Sequence, residues 1–265
     1  MSMTGEFAVP DQSSAARCTL ESRPAAGEPS ADLGYFGPDS VAWRVFLHPA
    51  TQLMIAQITN VLETPHIEFQ YVLAEHDPVF GARRRTRNSP ADVPVTSFYR
   101  IARTVSVPAP ILFGSTAEAD LAARQLFNYH RPMHGTMPET GAEYSAVSED
   151  SMLFAAVTIA HAALLAYERY AYVDGRPPRR LPEAEHSRYL RETAELGVLM
   201  GVPRERFPVD STALDAYYAS VADSFRTKPG WWRDRALRVL SRLDGGRRLR
   251  HIAVDLGLLL TEIVS

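Results

Sequence analysis

The sequence predicts an all-α protein, a single helical bundle entered through a flexible N-terminal tail. Three observations predict it. Apolar residues recur at helical spacing through most of the chain beyond residue 37. Cap signatures open several of those runs. Long alternating strand patterns and internal repeats are absent. At 265 residues and 46% hydrophobic, the chain is long enough to bury a core without disulfide or metal staples.

Residues 1–33 are rich in Ser, Pro, Ala and Gly with scattered charges, a composition that buries too little apolar surface to offset ordering. Order is expected from the turn Gly37-Pro38-Asp39-Ser40, where Asp39 or Ser40 caps the next segment. Val41 to Leu62 is helical in pattern and divided by Pro49. Residues 67–73 alternate like a short strand but fit a helix over 66–76 equally well. Ser97 to Gly114 reads as a helix interrupted by Pro108 and Pro110. Ser115 and Glu118 form a capping-box pattern. The helix they open carries Ala119, Ala122, Ala123, Leu126, His130 and Met133 on one stripe, ending near Pro132 to Gly135. Ser148-Glu149-Asp150 opens a long apolar helix to about Tyr172, and Pro182 opens another to about Met200. Amphipathic helices near 211–225, 229–243 and 247–262 complete the bundle over residues 34–265.

Composition narrows the function. Cys18 is the single cysteine, which excludes an intrachain disulfide and a cysteine zinc or iron–sulfur site. The net charge of −3 provides no positive field for nucleic acid. The arginine run at Arg83, Arg84, Arg85 and Arg87 lacks interleaved aromatics and reads as a solvated loop. The segment Met152 to Tyr167 is shorter than a bilayer span and is interrupted by Thr158 and His161, so it reads as a buried central helix. The N-terminal run MSMTGEFAVPDQSS has no basic region followed by an apolar one, and a cytoplasmic location is expected. No nucleophile elbow, P-loop, dinucleotide fingerprint or kinase set occurs.

What remains is histidine and arginine. His130 and His134 lie four apart and share a helix face if the helix survives Pro132. Such a pair can ligate a metal, or it is one buried and one helix-end histidine. His130 stands on an otherwise Ala/Leu stripe, and a neutral imidazole facing a core can be a proximal ligand to haem iron. Arg100, Arg103 and Thr104 share another face, either as a clamp for an acid group or as a solvated polar surface. In the long helix Thr158, His161, Ala162, Leu165 and Arg169 share a stripe, and its polar members need partners inside the bundle. For Arg169 an ion pair with Glu185 or Glu192 is the expected partner. His48, His66, His76, His186 and His251 present no comparable pattern.

In order, these motifs resemble the actinobacterial family that includes latex clearing protein (rubber oxygenase) and MpaB-type oxygenases. The matching segments are GPDSVAWRV (Gly37 to Val45), RxxxT (Arg100 to Thr104), FGS (Phe113 to Ser115) and the histidine–glycine helix end (His130 to Gly135). GxxY (Gly141 to Tyr144), AYERY (Ala166 to Tyr170) and the set Glu185, Tyr189, Glu192 follow, so that the resemblance covers roughly 37–222. It implies an all-helical haem b oxygenase with His130 as axial iron ligand and Arg100 and Thr104 near the distal face. Arg103 stands where some rubber oxygenases have a distal lysine; arginine stays protonated, so hydrogen bonding is its implied role. Three departures accompany the match: His134 replaces a common arginine, Ala156 a histidine and His161 an acidic residue.

The combined reading is an intracellular haem b oxygenase acting on a small or lipophilic organic molecule and dioxygen. Arg100, Arg103 and Thr104 are the expected catalytic residues; His130, His134, Tyr144, Thr158, His161 and Arg169 are the expected cofactor contacts. The alternatives are a non-catalytic haem or small-ligand binder of the same fold, a cofactor-free helical interaction protein, and a bis-histidine metal site.

Overall fold

Pro49 does divide the first apolar run. Helix α1 (Val41–Leu47) ends where His48 turns to extended backbone, and α2 (Pro49–Glu63) starts with the proline in its first turn, where its missing N–H is no loss. Ser40 is the cap of α1, accepting from the Trp43 amide at 2.9 Å. His48 performs the same service for α2, its Nδ1 accepting from the Ala50 amide at 3.2 Å. The computed structural model describes residues 32–76, 108–138 and 140–226. The tail to residue 31 with Cys18, the arginine run at 83–87, Arg100, Arg103 and Thr104, the helices expected at 229–243 and 247–262, and His251 all lie outside the described residues.

Residues 67–76 form a helix, α3 (Ile67–His76). Gln70, Tyr71 and Ala74 are buried, a helical stripe rather than every second residue. Helix α4 is short (Ala109–Phe113), and α5 (Thr116–His130) opens with the expected reciprocal box between Ser115 and Glu118. Interactions begin earlier than Gly37. The Asp32 carboxylate accepts from the Thr116 amide and hydroxyl, each at 2.9 Å, so it also serves the start of α5.

Helix α6 (Glu149–Tyr170) is capped by Ser148 and has 13 buried positions among its 22 residues. It is apolar and long enough to cross a bilayer, yet 72% of its apolar window is packed inside the fold. Burial on nearly all sides is the signature of a central helix. Helix α2 runs along α6, and α7 (Glu183–Val198) packs on both α6 and α1. The Tyr189 hydroxyl, fully buried on α7, donates to the Ala160 carbonyl of α6 at 2.7 Å, so its polar end is satisfied in the core. Gly197 lets α7 meet Phe207, since a Cβ there would lie 1.9 Å from the Phe207 ring. Helix α8 (Ser211–Ser220), capped by Asp210, and a 3-10 turn at Ala222–Ser224 close the described chain. Among the described residues there are eight α-helices and one two-stranded sheet, so the protein is all-α.

The small sheet is the element that the residue pattern did not reveal. Strand β1 (His134–Thr136) pairs antiparallel with β2 (Glu143–Ser145), with Gly135 opposite Tyr144. Three-residue strands are too short to show alternation.

Candidate functional site

Helix α5 stops at His130 because Pro132 has no N–H to continue the ladder. His134 therefore lies on β1 instead of one helical turn further along, and it is exposed. The shared helix face expected of His130 and His134 does not form. Among the described residues no three His, Cys, Asp or Glu side chains gather as a metal site.

His130 itself is half-buried, and its Nδ1 lies 3.0 Å from the Leu126 carbonyl one turn back. A carbonyl only accepts, so Nδ1 carries the proton, and in the neutral ring the lone pair resides on Nε2. A backbone bond of this kind fixes both tautomer and ring angle, the usual support of a metal-ligating imidazole. The Met133 amide donates to the His130 carbonyl at 2.8 Å, and the Ala146 amide to the Met133 carbonyl at 2.9 Å. The hairpin thereby holds the helix end. Gly135 admits the Tyr144 ring, which a Cβ at that position would approach to 2.9–3.1 Å. Tyr144, 4% exposed, stacks on Tyr71, and its hydroxyl lies 3.3 Å from His76 Nε2.

Thr158 and His161 belong to a different neighbourhood. The Thr158 hydroxyl donates to Glu63 Oε1 at 2.9 Å, while His161 Nδ1 meets the Tyr218 hydroxyl at 2.9 Å. Burial pushes the Glu63 carboxyl up to about 7, only partly opposed by the Thr158 bond. Burial pulls His161 down to about 4, aided by the nearby His186. Burial pushes the Tyr218 hydroxyl well above the ordinary tyrosine value. The cluster is thus a neutral imidazole, a neutral phenol and a carboxyl poised to exchange a proton near neutrality. Glu63 and Tyr218 were not visible as partners in the sequence, because α2 and α8 meet α6 only in the fold. A lone acid closing an apolar run (NVLE) was the available signal for Glu63.

Arg169, eight residues beyond His161 and so roughly 12 Å along the helix, is exposed. Among the described residues the expected ion pair with Glu185 or Glu192 does not occur, and both acids are engaged elsewhere. Glu185 pairs with Arg44, and Glu192 pairs with Arg188 at 2.7 Å while accepting from the Ala42 amide at 2.9 Å. These contacts tie α1 to α7. Glu168 likewise accepts from the Leu181 amide at 2.9 Å. Several motif residues thus hold the scaffold. Ala156 is packed in the core.

A family model described as ER-bound oxygenase mpaB/B′/Rubber oxygenase, catalytic domain, matches residues 43–258. The chain belongs to this family. The match starts a little later than the motif resemblance and runs further toward the C-terminus. No curated protein and no solved structure matches the chain. Membership in the mpaB/rubber oxygenase family identifies an oxygenase-type domain, an oxidoreductase class whose reaction joins dioxygen to a small-molecule substrate. A haem or metal cofactor needs, besides room for itself, an imidazole with its lone pair held in a fixed direction. His130 meets that requirement, and His134, exposed on a strand, does not share the helix end with it.

Proposed function

We propose that the chain is a haem b-dependent oxygenase acting on a small or lipophilic organic substrate, with His130 as the axial ligand. The observation that carries this reading is the 3.0 Å bond between His130 Nδ1 and the Leu126 carbonyl, within a domain of the mpaB/rubber oxygenase family. Haem b, when bound, supplies an iron centre at which dioxygen is activated. The chain supplies the rest. Leu126 holds the Nδ1 proton and makes Nε2 the basic atom, and the hairpin of β1 and β2 fixes the helix end. Arg100, Arg103 and Thr104 are assigned the polar face toward dioxygen and substrate, where cationic donors stabilise developing negative charge. The apolar bundle excludes water.

The test is absorbance after expression with haem supplied. A Soret band in the wild type that is lost in His130→Ala supports the assignment. An unchanged band in His130→Ala overturns the axial role, and no band in the wild type overturns the haem reading. Dioxygen uptake with lipophilic substrates separates an oxygenase from a non-catalytic haem binder. Arg100→Ala and Thr104→Ala are expected to reduce uptake while leaving the Soret band.

A further inference from the structure

A cavity of about 400 Å³ opens where the junction of α2 and α3, the first turns of α6, the turn at Arg204–Arg206 and the end of α8 meet. Its wall includes His66, Glu68, Ser151, Phe154, Arg206 and Tyr217. His66 is the unusual member. It is 7% exposed, its Nδ1 is buried without a hydrogen-bond partner, and no ring hydrogen bond to it occurs among the described residues. A buried polar nitrogen left unsatisfied costs about 1–3 kcal/mol, a cost relieved when the ring turns to meet a donor in the cavity. Its ring lies 4.3 Å from that of Phe154 at 32° and meets Phe69 and Phe225 edge-on. Burial holds it neutral, pulled down to about 4.

The fixed charges around the cavity are unequal. Arg206 spends its guanidinium on Glu149 at 2.5 Å and Asp150 at 2.8 Å. Glu68 accepts only the Ser151 hydroxyl, at 2.8 Å, among its described hydrogen bonds. Three carboxylates against one guanidinium leave two negative charges. The positive end of α6 also lies here, which by itself would favour an anion. That end is already answered by the Ser148 cap and by Glu149 and Asp150 in the first turn. The half-buried Tyr217 ring in the wall adds a π-face, which attracts cations.

We infer that this cavity is a binding site for a small organic cation, an ammonium group on an apolar body. Glu68 receives the charge, Tyr217 covers the apolar part, and the His66 ring turns its neutral nitrogen to a ligand N–H. The site is argued without reference to iron, and its test needs no haem.

The experiment is calorimetric titration of the full chain at neutral pH with 2-phenylethylamine, 2-phenylethanol and phenylacetate. The amine is expected to bind at least about tenfold more tightly than the alcohol, the equivalent of about 1.4 kcal/mol, and phenylacetate weakest of all. Glu68→Gln keeps an acceptor for Ser151 and is expected to lower amine affinity by at least about tenfold. Ser220→Trp, at an exposed position on the cavity rim, blocks entry without touching the core and is expected to abolish binding. Equal affinity for the three probes, no binding of the amine, or amine binding unchanged in either variant overturns the inference.

Discussion

His130 and His161 are the two inward-facing histidines of the expected site, and the protein treats them differently. His130 stands at a helix end, half-buried, with Nδ1 on a backbone carbonyl. His161 lies in the middle of α6 with Nδ1 against the Tyr218 hydroxyl and its pKa pulled down to about 4 by burial. Helical spacing made the two equivalent. The difference lies in what Nδ1 faces: a carbonyl leaves the lone pair on the opposite nitrogen, whereas a hydroxyl can donate or accept and leaves the tautomer open. One environment suits a ligand, and the other suits a structural network that keeps polar groups satisfied inside a bundle.

The sharpest way to break this contrast is to delete each ring in turn. His130→Ala should remove the Soret band of haem-loaded protein almost entirely. His161→Phe should leave it in place. Equal loss in both variants would merge the two environments into one site.

The next largest effect is expected from acid. His66 and His161 are both held near 4, below the ordinary histidine value of 6.5, by burial. The unfolded chain takes up these protons more readily than the folded one. Their contribution to stability is therefore present above about pH 6.5 and is lost as pH falls toward 4, on the order of 3 kcal/mol for each ring. Urea unfolding between pH 7 and pH 4.5 measures it, and His161→Phe should flatten part of the loss.

Glu63 acts in the opposite direction. Its folded pKa of about 7 lies above the ordinary carboxyl value of 4.5, so the folded chain holds that proton more tightly. Stability from this group is full below about pH 4.5 and falls as pH rises through about 7, again by up to about 3 kcal/mol. Glu63→Gln keeps the acceptor for Thr158 and should remove the decline between pH 5 and pH 8. A decline that persists in the variant would place its origin elsewhere.

The smallest effects belong to His134 and Arg169, both exposed. Alanine at either position should change thermal stability by no more than about 0.5 kcal/mol and leave haem absorbance intact. A large loss of haem in His134→Ala would return that residue to the cofactor.

Much of the fold was legible because its signals are local. Ser40, Ser115 with Glu118, and Ser148 cap the helices whose starts they mark, and Pro49 and Pro132 break helices for reasons contained in one ring. Residues 67–76 were ambiguous because alternation and helical spacing agree over a few positions. Their buried set, Gln70, Tyr71 and Ala74, emerges only when α3 meets its neighbours. The candidate site was less legible. His130 stood out by its stripe and by family resemblance, but Leu126 as its support is a matter of backbone geometry. Arg169 sat on the right stripe yet lies beyond the packed part of α6. His66 carried no pattern at all, since its aromatic box is assembled from α3, α6 and the segment after α8.

That last assembly has a practical consequence for where the chain can be cut. The Arg226 amide donates to the Pro65 carbonyl at 2.8 Å, Gln70 reaches the Arg226 carbonyl at 3.2 Å, and His66 bridges to Phe225. Residues 225 and 226 are therefore a seam stitched to a stretch some 160 positions upstream. A shortened polypeptide ending at Ser220 would keep every described α-helix and still lose one side of the His66 box. Minimal versions of this domain should be terminated beyond Arg226, and fluorescent or affinity tags placed further out still.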